Sequence, residues 1–286
     1  MPLLFALISY FGWGSGDIFG TIAARKLGAY SASLYSYILR IGIFGLYIPF
    51  ALADLSNLTR DTFLLNIGLG VLLLIGFVAF NEALRIANPS LVLSIAASFA
   101  ALVVVLSVIF LKETLNSPQM VAILVIFAGI LLSTLDFKGL RSGSFKLNRG
   151  VFLAFVAMVT WGIYFTFIKI PVQQIGWFWP NYISFTLFPL IFLYTKVRKI
   201  KLVPPTDKRG MLAVLTAVLL TGAAEFSFNF AISKGLTSVV APIAGSNPTL
   251  FVILAFFVFK DPISRQQIAG IFSTLIGIVL LSFFSV

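Results

Sequence analysis

The 286-residue sequence has no cysteine and no histidine, and only 10% of its residues are charged. The missing cysteine excludes disulfides and thiolate chemistry. The missing histidine excludes histidine metal sites and proton relays. With 60% hydrophobic residues and a mean hydropathy of +1.07, too little polar surface is left to clothe a water-soluble fold. No ATP-binding loop of the GxxxxGK[ST] type occurs, so hydrolysis of ATP by this chain is not expected. Without histidine or cysteine, rhomboid-like and zinc-protease chemistry is excluded, and no paired carboxylates converge. The chain is therefore predicted not to be an enzyme and to need no cofactor or metal.

What is present is a set of long apolar runs. At about 20 residues per membrane crossing, there is room for ten helices with short loops. Backbone groups in lipid must be satisfied internally, so the predicted fold class is all-α integral membrane. The spans read as 1–23, 31–53, 62–85, 90–111, 118–137, 150–170, 177–195, 210–233, 236–259 and 265–284. Residues 1–23 lack the basic start of a signal peptide and carry Asp17, so they are read as the first span. Gly12, Gly16 and Gly20 form a small-residue stripe within it, suited to close helix packing. Trp177 and Trp179 read as interfacial anchors.

The net charge of +11 lies in loops, which points to orientation in the membrane and away from nucleic acid. Loops after odd-numbered spans hold Arg25, Lys26, Arg85, Lys138, Arg141, Lys146, Arg149, Lys196, Arg198, Lys199, Lys201, Lys208, Arg209, Lys260 and Arg265. The other side has Arg60, Lys112, Lys169 and Lys234, and Arg40 lies inside the second span. The positive-inside rule puts the odd loops in the cytoplasm and both termini outside.

The chain is also duplicated. Residues 80–98 (FNEALRIANPSLVLSIAAS) recur 148 positions later as 228–246 (FNFAISKGLTSVVAPIAGS), with Phe80, Asn81, Ala83, Ser90, Val92, Ile95, Ala96 and Ser98 each meeting its own type. The same shift carries Trp13-Gly14 onto Trp161-Gly162, Lys112-Glu113 onto Lys260-Asp261, Gln119 onto Gln267 and Gly129 onto Gly277. Residues 1–148 and 149–286 thus form two five-helix repeats. Five is odd, so the second copy is inverted in the bilayer. Such symmetry supports alternating access, with a substrate site near the midplane.

The ninth span reads SVVAPIAGSNP. Pro242 and Pro248 remove backbone donors, Gly245 loosens the turn, and Ser246 and Asn247 can bond the freed groups, so a kink is expected there. Its partner has no interior proline, but Ser94 and Ser98 leave it slim and partly polar. Asn81 and Asn229 occupy matching positions and are expected to face the interior, either touching substrate or tying helix three to four and eight to nine. Asp17 and Arg40 lie at one depth on adjacent helices and are expected to pair, as a moving gate or a static bridge. Glu82 and Arg85 can pair with each other or join that network. Glu225, near the middle of the eighth span, has no obvious cation. It reads equally as a proton-coupling carboxylate, a counter-ion for an amino group, or a protonated hydrogen-bonding group. Trp13 and Trp161 are candidates for a shared cavity wall with Tyr10, Phe80, Tyr164 and Phe228, against a reading as core packing.

Ten spans in two repeats, a Trp-Gly pair near the start of each, and the Lys-Glu and Lys-Asp pairs ending spans four and nine resemble the drug/metabolite transporter superfamily, in its EamA-type branch. Within it the arrangement is similar to bacterial inner-membrane aromatic amino acid exporters. The resemblance implies export of amino acids and related metabolites through a cavity lined by spans one, three, four, six, eight and nine. It places Trp13, Asn81, Ser94, Ser98, Trp161, Asn229, Pro242 and Ser246 on cavity-facing helices. It further implies a small-molecule substrate, lipid surroundings, no nucleic acid and function as a monomer. A lipid or polyprenyl-carrier flippase and a proton-coupled drug or cation antiporter share the fold and stand as alternatives.

Overall fold

The computed structural model describes residues 1–87, 89–134, 149–260 and 262–285. The loop cations Lys138, Arg141 and Lys146, the carboxylate residue Asp261 and the side chain of Ser90 lie outside the described residues. Among those described there is no strand, and the chain forms a bundle of helices. The first, third, fifth, eighth and tenth spans are single helices: Pro2–Leu27, Arg60–Ile86, Ser117–Thr134, Lys208–Lys234 and Arg265–Phe283. Thr59, Asp207 and Ser264 cap three of them by accepting backbone N–H bonds from the first turn.

The remaining spans are interrupted. The second runs Ala29–Phe44 and continues through short turns to Asn57. The sixth is Arg149–Phe167 followed by Lys169–Ile175. The seventh, read from the sequence as one span, divides into Trp179–Phe185 and Phe188–Val197. Pro180 and Pro189 sit in the first turn of its two pieces, where a missing N–H breaks no helical bond. Neither piece is long enough to cross a bilayer alone, so nine helical segments among the described residues meet that length and hydropathy. The ninth breaks as expected, into Thr237–Ala244 and Asn247–Val258. The fourth breaks as well, into Pro89–Ala97 and Phe99–Phe110, although it has no interior proline. Its interruption at Ser98 is the 148-residue counterpart of Ser246.

Packing follows the duplication. The first span lies along the eighth and the sixth along the third, the same pairing under the repeat shift, while the fifth packs on the tenth, its own counterpart. The Trp-Gly pairs explain themselves here. A Cβ added to Gly162 would stand 2.5 Å from Leu102, and one added to Gly14 would stand 2.9 Å from Leu250, so each glycine admits the leucine just past the break in the opposite repeat. Part of the predicted glycine stripe works the same way. Gly12 meets Leu220 and Ala224 and Gly16 meets Thr221, which lets the eighth helix approach. Gly20 faces open space and takes no part.

Candidate substrate cavity

Spans one, three, four, six, eight and nine enclose a cavity of about 60 Å³ at the level of the two helix breaks, lined by Trp13, Asp17, Leu73, Phe77, Phe80, Phe99, Trp161, Phe165, Thr221, Glu225 and Asn247. The lining follows the repeat almost completely. Trp13 pairs with Trp161, Asp17 with Phe165, Leu73 with Thr221, Phe77 with Glu225 and Phe99 with Asn247, each 148 residues apart. The pairing exposes an asymmetry. Every polar member other than a tryptophan sits on span one, eight or nine, and its counterpart on span three, four or six is apolar. The cavity therefore has a carboxylate edge facing an aromatic wall.

The wall is a connected ring cluster. Trp161 lies 5.0 Å from Phe80 and 6.1 Å from Phe99, and Phe99 lies 5.0 Å from Phe165. Trp13 contacts Phe165 at 5.2 Å and Phe228 at 5.6 Å. The Trp161 Nε1–H is buried without a partner. A smaller hollow of about 30 Å³ shares Asp17, Phe77, Phe80 and Thr221 and continues past Gly20, Ala23 and Leu84 toward the basic end of these helices.

The expected Asp17–Arg40 bridge is not formed. The Arg40 guanidinium turns to Glu225, donating to its Oε2, and to Thr221 Oγ1 at 2.6 Å, with its cation over Phe185 at 4.9 Å and Phe77 at 5.6 Å. Asp17 instead accepts a 2.9 Å bond from the Asn247 amide at the break in the ninth span. Depth along the helix is the same for Asp17 and Arg40, but the second span presents Arg40 to the eighth. Glu225 thus has a cation after all, and Asp17 is left with an amide. Two carboxylates thus stand near one guanidinium, which bonds only Glu225. Glu82 and Arg85 pair with each other through two 2.8 Å bonds, joined by Arg149 at 3.6 Å and apart from Asp17 and Arg40.

Several sequence candidates are brought to the cavity: Trp13, Phe80, Trp161, Asp17 and Glu225. Others are used elsewhere. The Tyr10 hydroxyl bonds Thr249 Oγ1 at 3.0 Å and Tyr164 donates to Asn181 at 2.7 Å. Phe228 is fully buried behind Trp13. Asn81 donates to Ser33 on the second span and to the Phe77 carbonyl, and Asn229 donates to the Trp177 carbonyl. Both are ties, but to span two and to the start of span seven, not to spans four and nine. Ser98 and Ser246 donate back to the Ser94 and Ile243 carbonyls, at 3.0 and 2.6 Å, which holds the broken helix ends. Ser94 and Pro242 are buried within their helices. Trp179 is no interfacial anchor: it is buried and donates to the Ala51 carbonyl at 2.7 Å. The sequence offers Asn247 only as a partner for backbone freed at the ninth-span break, and does not mark Leu73, Phe77, Phe99, Phe165 and Thr221 as cavity residues. Shifting Asp17, Glu225 and Asn247 by one repeat would have found Phe165, Phe77 and Phe99.

The Lys-Glu pair after the fourth span acquires a physical role. Lys112 takes the left-handed conformation (φ 56°), as does Lys260 (φ 61°) at the equivalent position. This terminates the helix in a Schellman-like turn, with the Glu113 N–H bonding the Ser107 carbonyl at 3.3 Å. Glu113 is thereby aimed at the start of the ninth span. Its carboxylate accepts the Thr237 and Ser238 backbone N–H at 2.9 and 2.8 Å, the Ser238 hydroxyl at 2.6 Å and the Lys169 ammonium at 2.7 Å. Lys169 also donates to the Gly235 carbonyl at 3.0 Å. Burial pushes the Glu113 carboxyl up, but Lys169, Ser238 and the backbone N–H groups outweigh it, and it is held below the ordinary carboxylate range. Loop four, span six and span nine are clamped together at this end.

A helical bundle built from two like halves around a central cavity defines the class: a multi-pass membrane transporter. The model of the EamA-like transporter family matches residues 1–135 and again 148–283, and the chain belongs to that family. Uncharacterized protein MJ1333.1 of Methanocaldococcus jannaschii is 25% identical over 139 residues. That match covers 48% of this chain and 98% of the relative, which is thus about as long as one repeat. A crystal structure of a protein 15% identical superposes with a TM-score of 0.80 over 99% of this chain and 97% of its own, a likeness of fold.

Proposed function

We propose that this chain exports amino acids, aromatic and other neutral ones first, and related small amine-bearing metabolites, by alternating access through the central cavity. The observation that carries the reading is the division of that cavity into a carboxylate edge and an aromatic wall. Arg40 offsets one of its two carboxylates, and a substrate ammonium offsets the other at Asp17. An apolar side chain then meets Trp13, Trp161, Phe80 and Phe99, whose faces also favour a cation. The broken ninth helix opens at Asn247 on the same edge, and the positive end of its second piece favours the substrate carboxylate. A phosphorylated substrate fits poorly, since the Arg40 guanidinium is already committed to Glu225. In this reading the basic ends face the cytoplasm and both termini lie outside, as the positive-inside rule favours, and the membrane is a bacterial inner membrane.

In this reading the clamp at Glu113 closes the outer face, and the hollow beneath Asp17 leads inward. The absence of cysteine gives a clean background for a test. Thr237 is fully buried, so a Thr237→Cys variant is expected to react slowly with a membrane-impermeant maleimide. Adding Glu113→Gln removes charge-assisted bonds that contribute roughly 1.5–3 kcal/mol each, and labelling should rise by on the order of tenfold. Because the Glu113 carboxyl is held low, its contribution is complete above the ordinary carboxylate range and is lost as pH falls through the lowered value. Labelling of Thr237→Cys, divided by that of an exposed control cysteine because acid lowers the thiolate fraction of both, should therefore rise as pH falls, and the same flat ratio in both backgrounds would remove Glu113 from the gate.

The function is tested by counterflow in proteoliposomes with phenylalanine, tryptophan, threonine, methionine, lysine and a sugar phosphate, with and without a pH gradient. Saturable exchange of the neutral amino acids, with the sugar phosphate inert, is the expected result. Exchange of the sugar phosphate alone would overturn it.

A further inference from the structure

A second concavity, apart from the central cavity, runs down the outside of the bundle between spans three, six and seven. It measures about 470 Å³ and is walled mainly by apolar side chains, among them Val71, Ile75, Val78, Phe152, Val156 and Leu190. Ile75, Phe152 and Leu190 are exposed, at 44%, 58% and 40%, on helices of membrane-spanning length and hydropathy or on the broken seventh. At one end the groove reaches Tyr30, Glu82, Arg149 and Tyr194, and these same residues line a neighbouring hollow of about 400 Å³ that adds Arg85, Arg198 and Lys201. The two concavities form one trough, apolar along its length and basic at its mouth.

The charge at the mouth is unbalanced. Glu82 is a single carboxylate against four cations. It is already shared by Arg85 at 2.8 Å and Arg149 at 3.6 Å, and among the described residues Arg198 and Lys201 make no ion pair. The Arg149 and Arg85 side chains remain 72% and 44% exposed. Tyr30 and Tyr194 stack at 5.8 Å where apolar wall gives way to basic mouth, the position aromatic side chains with a polar tip take at a membrane surface. The fold alone does not supply this arrangement. Positions equivalent to Glu82, Arg85 and Arg149 in the duplicated half are Phe230, Ser233 and Met1, so the mouth belongs to one face of a pseudo-symmetric protein.

From this we infer that the trough is a binding site for an anionic phospholipid, its phosphate held by Arg149, Arg198 and Lys201 and an acyl chain laid between spans three, six and seven. A zwitterionic lipid would bring a second positive charge to a mouth that already has a surplus. A free phosphate would leave the apolar length unfilled. Anionic lipid is attracted to such basic clusters by a factor that multiplies with each cation.

The test is native mass spectrometry and thermal unfolding of the full chain in detergent with added phosphatidylglycerol, phosphatidylcholine or glycerol 3-phosphate. Phosphatidylglycerol is expected to be retained and to raise the midpoint, the other two to do neither. Combined Arg149→Gln, Arg198→Gln and Lys201→Gln, all surface changes, should weaken its binding by on the order of 100-fold, and Val78→Trp should block it from the apolar side. Equal binding of the two phospholipids, or a preference unmoved by the triple variant, would overturn the site. An equal effect of glycerol 3-phosphate would overturn the lipid as its occupant. None of these readings depends on which solute the central cavity carries.

Discussion

Asp17→Asn should lower amino acid flux by about 30-fold or more while the protein stays folded. The carboxylate stands at the junction of the first and ninth helices, in the cavity wall, with the Asn247 amide as its hydrogen-bond partner. An asparagine fills the same volume and can still accept that bond, so packing is preserved and only the charge is lost. Removing one member of a desolvated charge pair costs roughly 2–5 kcal/mol, here the pair made with the substrate ammonium. Size-exclusion behaviour and the unfolding midpoint are the controls. Wild-type flux from Asp17→Asn would show that Asp17 is not the group that meets the amine.

The second large effect concerns stability. Arg40→Gln leaves Glu225 and Glu225→Gln leaves Arg40 as a lone charge among Phe77, Phe185 and the eighth helix. Each single change is expected to cost about 3–5 kcal/mol, because the surviving ion is buried without its partner. The double change Arg40→Gln with Glu225→Gln should recover most of that loss, since no uncompensated charge remains. The measurement is a double-mutant cycle in detergent unfolding, and strictly additive losses would mean that the two side chains do not interact in the folded protein. Flux in the double variant separates stability from transport. If Glu225 carries a proton, its pH dependence should vanish there while substrate still binds.

Much of this fold is legible in the sequence because its signals are long and repeated. Ten apolar runs, the odd number per repeat and the 148-residue register needed no tertiary information. The break at Ser246 was announced by Pro242 and Pro248, whereas the matching break at Ser98 was visible only through the repeat. What stayed hidden was rotation about helix axes. Asp17 and Arg40 share a depth, but whether Arg40 faces the first helix or the eighth depends on a turn that apolar periodicity does not fix when lipid and core are equally apolar. The same ambiguity assigned Trp179 to the surface, although Ala51 receives its N–H inside. Polarity alone puts Asn81 and Asn229 inward, yet their partners lie on spans two and seven, which no pattern within their own helices can name. The aromatic wall was half read: Trp13, Trp161 and Phe80 stood out as repeated aromatics, while Phe77, Phe99 and Phe165 were hidden because their repeat counterparts are polar.

The cavity's division of labour can be checked with one competition experiment. Labelled phenylalanine is taken up by proteoliposomes containing the purified chain, in the presence of excess phenethylamine or excess 3-phenylpropionate. Both competitors carry the ring; only the first carries the ammonium. A carboxylate edge at Asp17 opposite an aromatic wall predicts saturable uptake that phenethylamine inhibits more strongly than 3-phenylpropionate does. Inhibition by 3-phenylpropionate but not by the amine, or no saturable uptake at all, would contradict it.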